Sequence, residues 1–309
     1  MLHVFKALAD ESRLRIISVL AQGDFNVNEL IEILRMGQSR ISRHLKILAD
    51  SGVVTNRREG NWIYYALAPL QEQSDLAGLL RIAVQSMKAS QLYEKDLQHL
   101  ESLVQRRRAL SQKYFDRVGP EWECLQREVL DSASYREPAL AYLPADKESV
   151  VDLGSGAGLL LPALLGRFKN VIALDSSQTM LKVAADYVQK QAAKAAPRCE
   201  FRLGELEHLP IHDRSVDAAM ASMVLHHVSN PANAIAEVHR ILRRGGTFVI
   251  ADLLEHNIAE MREKYADLWL GFKKSDLNKW LTASGFSVQK TEVLTHETMK
   301  VLLIQATKN

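Results

Sequence analysis

The chain has 309 residues, with 39 Lys and Arg against 37 Asp and Glu for a formal net charge of +2, and 47% of its residues are hydrophobic. That length suits two packed domains, and the near-neutral balance excludes a chain held to nucleic acid or membrane by bulk charge; residues 1–68 carry nine basic and seven acidic side chains, so a nucleic-acid surface there must come from clustering. The two cysteines, Cys124 and Cys199, lie far apart, which offers no disulfide framework or metal-ligand spacing, so no metal site is expected and the cytoplasm is the expected compartment.

Residues 3–9 form a short amphipathic stretch, broken by Lys6, and Asp10 can cap a helix from Glu11 to Gln22 with Leu14, Ile17 and Leu20 on one face. No apolar run approaches membrane-spanning length, so neither a signal peptide nor a membrane helix is expected. Val27 to Leu34 reads as a second helix, Arg35-Met36-Gly37 as a turn, and Gln38 to Asp50 as a third helix. In that helix Ile41, Leu45 and Leu48 face inward, while Gln38, Ser39, Arg40, Ser42, Arg43 and Lys46 face out. A helix, a tight turn and a polar-faced helix make a helix-turn-helix. Val53 to Arg58 and Trp62 to Leu67 then flank Glu59-Gly60-Asn61 as a hairpin, with Arg57, Arg58 and Asn61 placed to meet phosphate.

The segments Ala7 to Ile16 and Gln38 to Lys46, with the hairpin, resemble the winged helix-turn-helix of ArsR-type repressors over about residues 3–68. The resemblance implies double-stranded operator DNA as partner, read by Gln38, Ser39, Arg40, Ser42, Arg43, His44 and Lys46, and it implies a homodimer. Arg40 and Arg43 are the residues expected to grip DNA, since Arg can bond guanine through two parallel hydrogen bonds; His44 reads as packed or phosphate-contacting. Metal sensors of that family carry paired cysteines on the helix before the turn, where this chain has Val27-Asn28-Glu29-Leu30. Without a soft thiolate ligand, metal sensing at that position is not expected.

Residues 69–113 space Leu76, Leu80, Ala83 and Met87, then Tyr93, Leu97, Leu100 and Val104, at helical intervals, predicting one or two long helices for pairing or spacing. Arg106-Arg107-Arg108 reads as a solvated charged face. Residues 69–148 are taken as a helical linker, dimerisation and lid segment, and 149–309 as a second domain. That domain centres on Val150-Val151-Asp152-Leu153-Gly154-Ser155-Gly156-Ala157-Gly158: a buried strand, an acid, a glycine turn and a helix start. The dinucleotide fingerprint G-x-G-x-x-G/A fails at Leu159.

The glycine turn resembles motif I of class I S-adenosylmethionine-dependent methyltransferases. The following segments, including Val171 to Asp175, Ser176 to Leu181, Phe201 to Pro210, Val224 to Pro231 and Glu237 to Thr247, resemble UbiE-like members over about Val150 to Leu253. The implied fold is an α/β, Rossmann-like, mainly parallel sheet beside the mainly α winged helix-turn-helix. The short link around Thr295-His296-Glu297 demands an antiparallel terminal pair, Phe286 to Thr291 with Met299 to Thr307. The implied ligand is S-adenosylmethionine or S-adenosylhomocysteine, with contacts from Asp152, Gly154, Ser155, Gly156, Gly158, Asp175, Ser176, Met180, Gly204, Glu205, Leu206, Ser222 and Tyr114. Tyr114 and Tyr135 are lid contacts or aromatic packing. Asp175 either accepts ribose hydroxyls or caps a helix, and Asp152 is expected to tie down the glycine loop.

Methyl transfer from a sulfonium needs mainly position, and a base only if the acceptor must lose a proton. His226, His227, Asp252, Glu255 and His256 are in reach of that role. The His226-His227 pair reads as structural, and no catalytic residue is assigned beyond His227 and Asp252 as candidates. Arsenite methylation needs several thiolates, which two cysteines do not supply. The expected function is a DNA-binding regulator that takes the adenosyl compound as its signal; the alternative is a working small-molecule methyltransferase with a DNA-binding head.

Overall fold

The computed structural model describes residues 2–59, 62–68, 74–119, 133–145, 147–258, 260–295 and 299–309. The expectations that fall on Gly60, Asn61, Cys124, His296 and Glu297 therefore lie outside the described residues. The chain forms two compact units, Met1–Arg107 and Arg108–Asn309.

In the first unit, α1 (Leu2–Leu8) leads to α2 (Glu11–Leu20), which Asp10 caps by accepting the Arg13 N–H at 3.0 Å. A two-residue strand β1 (Phe25–Asn26) precedes α3 (Val27–Leu34). Asn26 and Glu29 cap this helix reciprocally, each side chain accepting the other's backbone N–H. Arg35 ends α3 in the left-handed region at φ 54°, a conformation that stops a helix at the cost of strain for a side chain with a Cβ. The chain then turns into α4 (Gln38–Asp50) and the hairpin β2 (Val54–Glu59) and β3 (Trp62–Leu67), in register Arg57 to Tyr64. Ile16, Ile17, Leu30, Ile33, Ile41, Leu45 and Leu48 form the fully buried centre.

Two helices follow, α5 (Asp75–Met87) and α6 (Gln91–Val118), separated by Lys88-Ala89-Ser90. The 28 residues of α6 extend about 42 Å at 1.5 Å per residue. Its first part is fixed on the winged helix. Arg15 grips Asp96 through two bonds of 2.7 and 2.6 Å, His99 Nδ1 lies 2.8 Å from the Ile33 carbonyl, and Leu103 enters the core. The basic run is not a solvated face. Arg106 pairs with Glu32 at 2.5 Å, Arg107 pairs with Glu29, and Arg108 lies between Glu205 and Glu207 at 3.0 and 3.1 Å.

The second unit contains the end of α6, then α7 (Ala133–Ala141) and the strands β4 (Ser149–Leu153), β5 (Asn170–Asp175), β6 (Cys199–Leu203), β7 (Val216–Ser222), β8 (Leu242–Leu253), β9 (Phe286–Thr295) and β10 (Lys300–Lys308). Their order is β6-β5-β4-β7-β8-β10-β9. The first five are parallel, and β10 runs antiparallel between β8 and β9. Val150 belongs to the core on one face and Val151 to the core on the other. That is why β4 reads as continuous apolar sequence: both faces are covered, here by α8 (Leu161–Arg167) and α9 (Gln178–Gln191) and by α10 (Pro231–Ile241) and α12 (Lys274–Ala283). A short helix, α11 (Glu260–Tyr265), precedes α12. Strand order reverses at β4, and such a switch point opens a crevice at the strands' carboxyl ends. Among the described residues no helix is long and apolar enough to cross a membrane.

Candidate functional site

The crevice holds two adjoining cavities, of about 830 and 440 Å³, that share Gly154, Gly156 and Met223. The glycine loop makes them. Gly154, Gly156 and Gly158 have φ of 67°, 51° and 79°, and a Cβ on Gly154 would stand 2.2 Å from Val224 while one on Gly158 would stand 2.8 Å from Ala184. A Cβ on Gly156 would meet nothing within 4 Å, so the backbone there faces open space.

Asp175, at the end of β5, holds this loop. Its Oδ2 accepts the Gly156 N–H at 2.9 Å and its Oδ1 the Ser177 N–H at 2.9 Å. Burial raises its pKa, and those backbone N–H groups work in the opposite direction. Ser177 then caps α9 by accepting the Met180 N–H, and its hydroxyl donates to Asp116 at 2.5 Å. Asp152 does not tie the loop. It is 2% exposed, its Oδ2 has no hydrogen bond among the described residues, and burial lifts its carboxyl to about 7 against the opposing charge of Arg136. Both Asp152 and Arg136 line the smaller cavity.

The expected contact residues divide accordingly. Gly154, Gly156, Asp175, Ser176, Met180, Glu205 and Leu206 line the larger cavity, and Asp152, Ser155, Ser222 and Tyr135 join the two shared glycines around the smaller. Gly158 and Gly204 line neither; Gly204 is pressed against Pro210, where a Cβ would stand 2.6 Å away. Tyr114 is also absent from both, its hydroxyl donating to the Lys264 carbonyl at 2.6 Å, and the neighbouring Phe115 takes its place. Arg108, Ser111 and Gln112 line the larger cavity and Arg136 the smaller, and the sequence reading missed all four. The only signal for the first three was the i, i+3, i+4, i+7 spacing of Arg108, Ser111, Gln112 and Phe115 on one helix face, and Arg136 had none.

Behind the larger cavity lies a buried polar cluster. His226 Nδ1 is 2.6 Å from Asp252 Oδ1, and Asp252 also accepts the Leu225 and Leu253 N–H groups at 2.8 Å. Burial opposes the charged form of His226, yet Asp252 and Asp267 outweigh it and raise its pKa to about 9. His227 lines the cavity with its ring edge-on to Phe115, and burial together with the charge of His226 pushes its pKa well down. Asp267 is 3% exposed and raised to about 7 by burial. Asp252 therefore neither lines the cleft nor merely caps a turn; it orients His226. Glu255 pairs with Lys273 at 3.4 Å, and the Ile258 N–H donates to His256 at 3.2 Å.

On the first unit Gln38, Ser39, Arg40, Ser42, Arg43 and Lys46 are exposed along α4. Arg40 donates to Ser12 Oγ at 2.7 Å. His44 is not on that face: it is 9% exposed, 3.9 Å from Asp10, and its pKa is lowered by burial. One turn of helix places position 44 beside Ile41, Leu45 and Leu48 on the buried stripe. Arg57 pairs with Asp24 and stacks over Tyr64, while Arg58 is exposed.

Residues 10–56 match the family model of the bacterial regulatory proteins of the arsR family, and residues 151–250 match the model of a methyltransferase domain. The chain joins an ArsR-type helix-turn-helix to a methyltransferase domain. The helix-turn-helix is similar to the arsenical resistance operon repressor of Escherichia coli, 42% identical over 69 residues, which are 22% of this chain and 59% of that one. The chain is also similar to the arsenite methyltransferase of Halobacterium salinarum, 35% identical over 114 residues, which are 36% of this chain and 28% of that one. It thus spans well under two thirds of the curated relatives it matches. The fold of the methyltransferase domain is shared with the Burkholderia thailandensis 1,6-didemethyltoxoflavin-N1-methyltransferase, solved with bound 1,6-didemethyltoxoflavin and S-adenosylhomocysteine, at 21% identity and a TM-score of 0.55 over 67% of this chain and 90% of that one.

Proposed function

We propose that the protein is a DNA-binding transcriptional regulator whose methyltransferase domain binds S-adenosylmethionine or S-adenosylhomocysteine as its signal. The observation that carries this reading is the buried Asp152 carboxylate, which has an oxygen without a partner and sits with Arg136 at the smaller of two joined cavities. A zwitterionic amino-acid tail supplies what that carboxylate lacks, an ammonium to meet the open Asp152 oxygen. Asp175 would then meet the ribose hydroxyls with its remaining lone pairs, and Met180 and Leu206 the faces of the purine. Bound there, S-adenosylmethionine supplies an already activated methyl group. On the first unit, Arg43 and Lys46 meet phosphate and base edges with Gln38, Ser39 and Ser42, Arg58 meets phosphate, and Leu2, Phe5 and Ile82, which are exposed, offer apolar surface to a second copy in a homodimer.

Helix α6 carries the signal in this reading. Its residues up to Arg107 are fixed on the winged helix by Asp96, His99 and Leu103, and from Arg108 onward it lines the larger cavity. A ligand that prefers one setting of Arg108 and Phe115 biases the helix, and operator affinity changes by the difference in its binding to the two states. Purified protein is titrated with DNA from upstream of its own gene by fluorescence anisotropy, alone and with each adenosyl compound. Unequal shifts of the binding curve by the two ligands support the regulator. DNA binding that ignores both overturns it.

A second reading, a small-molecule methyltransferase with a DNA-binding head, draws support from the polar cluster behind His227, which gives an acceptor something to meet. Arsenite, which several thiolates hold, fits that role poorly: the chain has two cysteines, of which Cys199 is half-buried with its thiol pushed up to about 12 by burial and Cys124 lies outside the described residues.

A further inference from the structure

We propose that His226, His227 and Asp267 bind one divalent transition-metal ion beside the larger cavity. The two imidazoles come from the turn after β7 and the carboxylate from the segment after α11, and their ligand atoms all lie within 4.8 Å of one another. Asp267 Oδ1 is 3.8 Å from His226 Nε2 and 3.8 Å from His227 Nδ1. With a third side of at most 4.8 Å, the centre of that triangle lies no more than about 2.5 Å from every ligand, against bond lengths of about 2.0–2.2 Å for zinc to nitrogen and oxygen. A shift of a few tenths of an ångström in each side chain closes the site.

Three further observations point to a cation. The Asp267 side chain is 1% exposed, and neither of its oxygens has a hydrogen bond among the described residues. A buried carboxylate without a donor is expensive, and a metal ion repays that cost. His226 is already oriented as a ligand: Asp252, 2.6 Å from Nδ1, holds the proton there, and Nε2, 3.8 Å from Asp267, is the nitrogen that gives up its proton to an arriving ion. Finally, the charges close. Ionised Asp252 and Asp267 with two neutral imidazoles sum to two negative charges, which one divalent ion neutralises.

Two imidazoles and one carboxylate select zinc, nickel, cobalt or ferrous iron over magnesium or calcium, which take oxygen ligands. His227 Nδ1 donates to the Ala266 carbonyl at 3.3 Å, so binding an ion at Nδ1 breaks that bond and moves the ring proton to Nε2. Because His227 also lines the larger cavity, an ion here neighbours whatever second molecule enters it. His227 lines the same cavity as Asp175, Met180 and Leu206, but none of the three metal ligands is among the proposed adenosyl contacts, so the site holds under either reading of the function.

The test uses the full-length chain without a histidine tag, stripped with chelator and dialysed against Zn²⁺ or Co²⁺ alone. One ion per chain is expected at micromolar free metal or below. Asp267→Asn and His227→Gln should each weaken binding 100-fold or more, and Asp252→Asn, which alters only the orienting carboxylate, by about 10–100-fold. Loss of binding counts where the metal-free variants keep the wild-type circular dichroism. Should a variant fail to fold, the imidazole ¹⁵N resonances of the wild type decide, since two rings must shift with one equivalent of Zn²⁺. No stoichiometric ion, an ion held equally well by Asp267→Asn and His227→Gln, or unmoved imidazole resonances overturns the proposal.

Discussion

Asp152 gives the sharpest test of the adenosyl pocket, because its protonation and its proposed partner oppose each other. Burial holds the carboxyl at about 7 in the ligand-free protein, whereas an ammonium partner requires it ionised. Between pH 8 and pH 6 the ionised fraction of such a group falls from about 91% to about 9%, so affinity for S-adenosylhomocysteine should weaken about tenfold over that interval. Asp152→Asn should abolish this dependence and, by removing a charge-assisted hydrogen bond of about 2 kcal/mol, weaken binding at pH 8 about 30-fold. The stability change has the opposite sign. The folded pKa lies above the ordinary 3.8, so folding loses stability as pH rises from about 4 to 7 and the ionised group costs most above that. Asn at position 152 should therefore raise the melting temperature of the ligand-free protein at pH 8, with about 4 kcal/mol as the ceiling for a three-unit shift. Isothermal titration calorimetry at pH 6, 7 and 8 reads the affinities. Methylthioadenosine, which lacks the amino-acid tail, separates Asp152 from Asp175, whose pKa is also raised by burial. Its affinity should be flat with pH. An S-adenosylhomocysteine affinity that is flat or improves toward pH 6, or that keeps its slope in Asp152→Asn, refutes the assignment.

Arg43→Ala should weaken operator binding and reduce the salt slope by about one while leaving adenosyl affinity unchanged, measured by anisotropy over a salt series. Asp96→Ala should destabilise the first unit by about 2–3 kcal/mol, because it leaves the partly buried Arg15 guanidinium without its bidentate partner and with only the Leu34 carbonyl; a melting temperature within a degree or two of wild type would refute the pairing. Gly158→Ala should destabilise the second unit by more than about 1 kcal/mol, since Cβ would stand 2.8 Å from Ala184 in a backbone at φ 79°. A soluble variant with unchanged thermal unfolding would count against that packing.

What the sequence discloses here follows from the range of the interactions. The strand into the glycine turn, the acid ending β5 and the stripe Ile41, Leu45, Leu48 are written in local periodicity and in residues that only one backbone shape tolerates, so they are legible. The loop is held by Asp175 and not by Asp152, because which acid meets the Gly156 N–H depends on how two neighbouring strands align. The Arg106-Arg107-Arg108 run resembles a solvated face until Glu32, Glu29 and Glu205 arrive from 74 to 97 residues away. That His226 and Asp252, singled out as candidates, meet each other and Asp267 is likewise silent in sequence, since separations of 26 and 41 residues carry no periodic signal.

That load on Asp175 also decides how coupling between ligand and DNA can be probed. Asp175→Ala at first looks like the natural test, since the acid faces the larger cavity. Yet its oxygens hold the Gly156 and Ser177 N–H groups, and Ser177 in turn caps α9 and bonds Asp116 on α6. Removing Asp175 therefore disturbs the glycine loop, a helix start and α6 together, and an altered DNA response would not separate lost ligand from lost structure. Asp152 holds nothing in the ligand-free protein through its Oδ2. An Asp152→Asn protein that binds operator DNA like wild type without ligand, but needs about 30-fold more S-adenosylhomocysteine for the same shift of the curve, would trace the response to occupancy of this cavity. A full response at wild-type ligand concentrations would place the effector somewhere else on the chain.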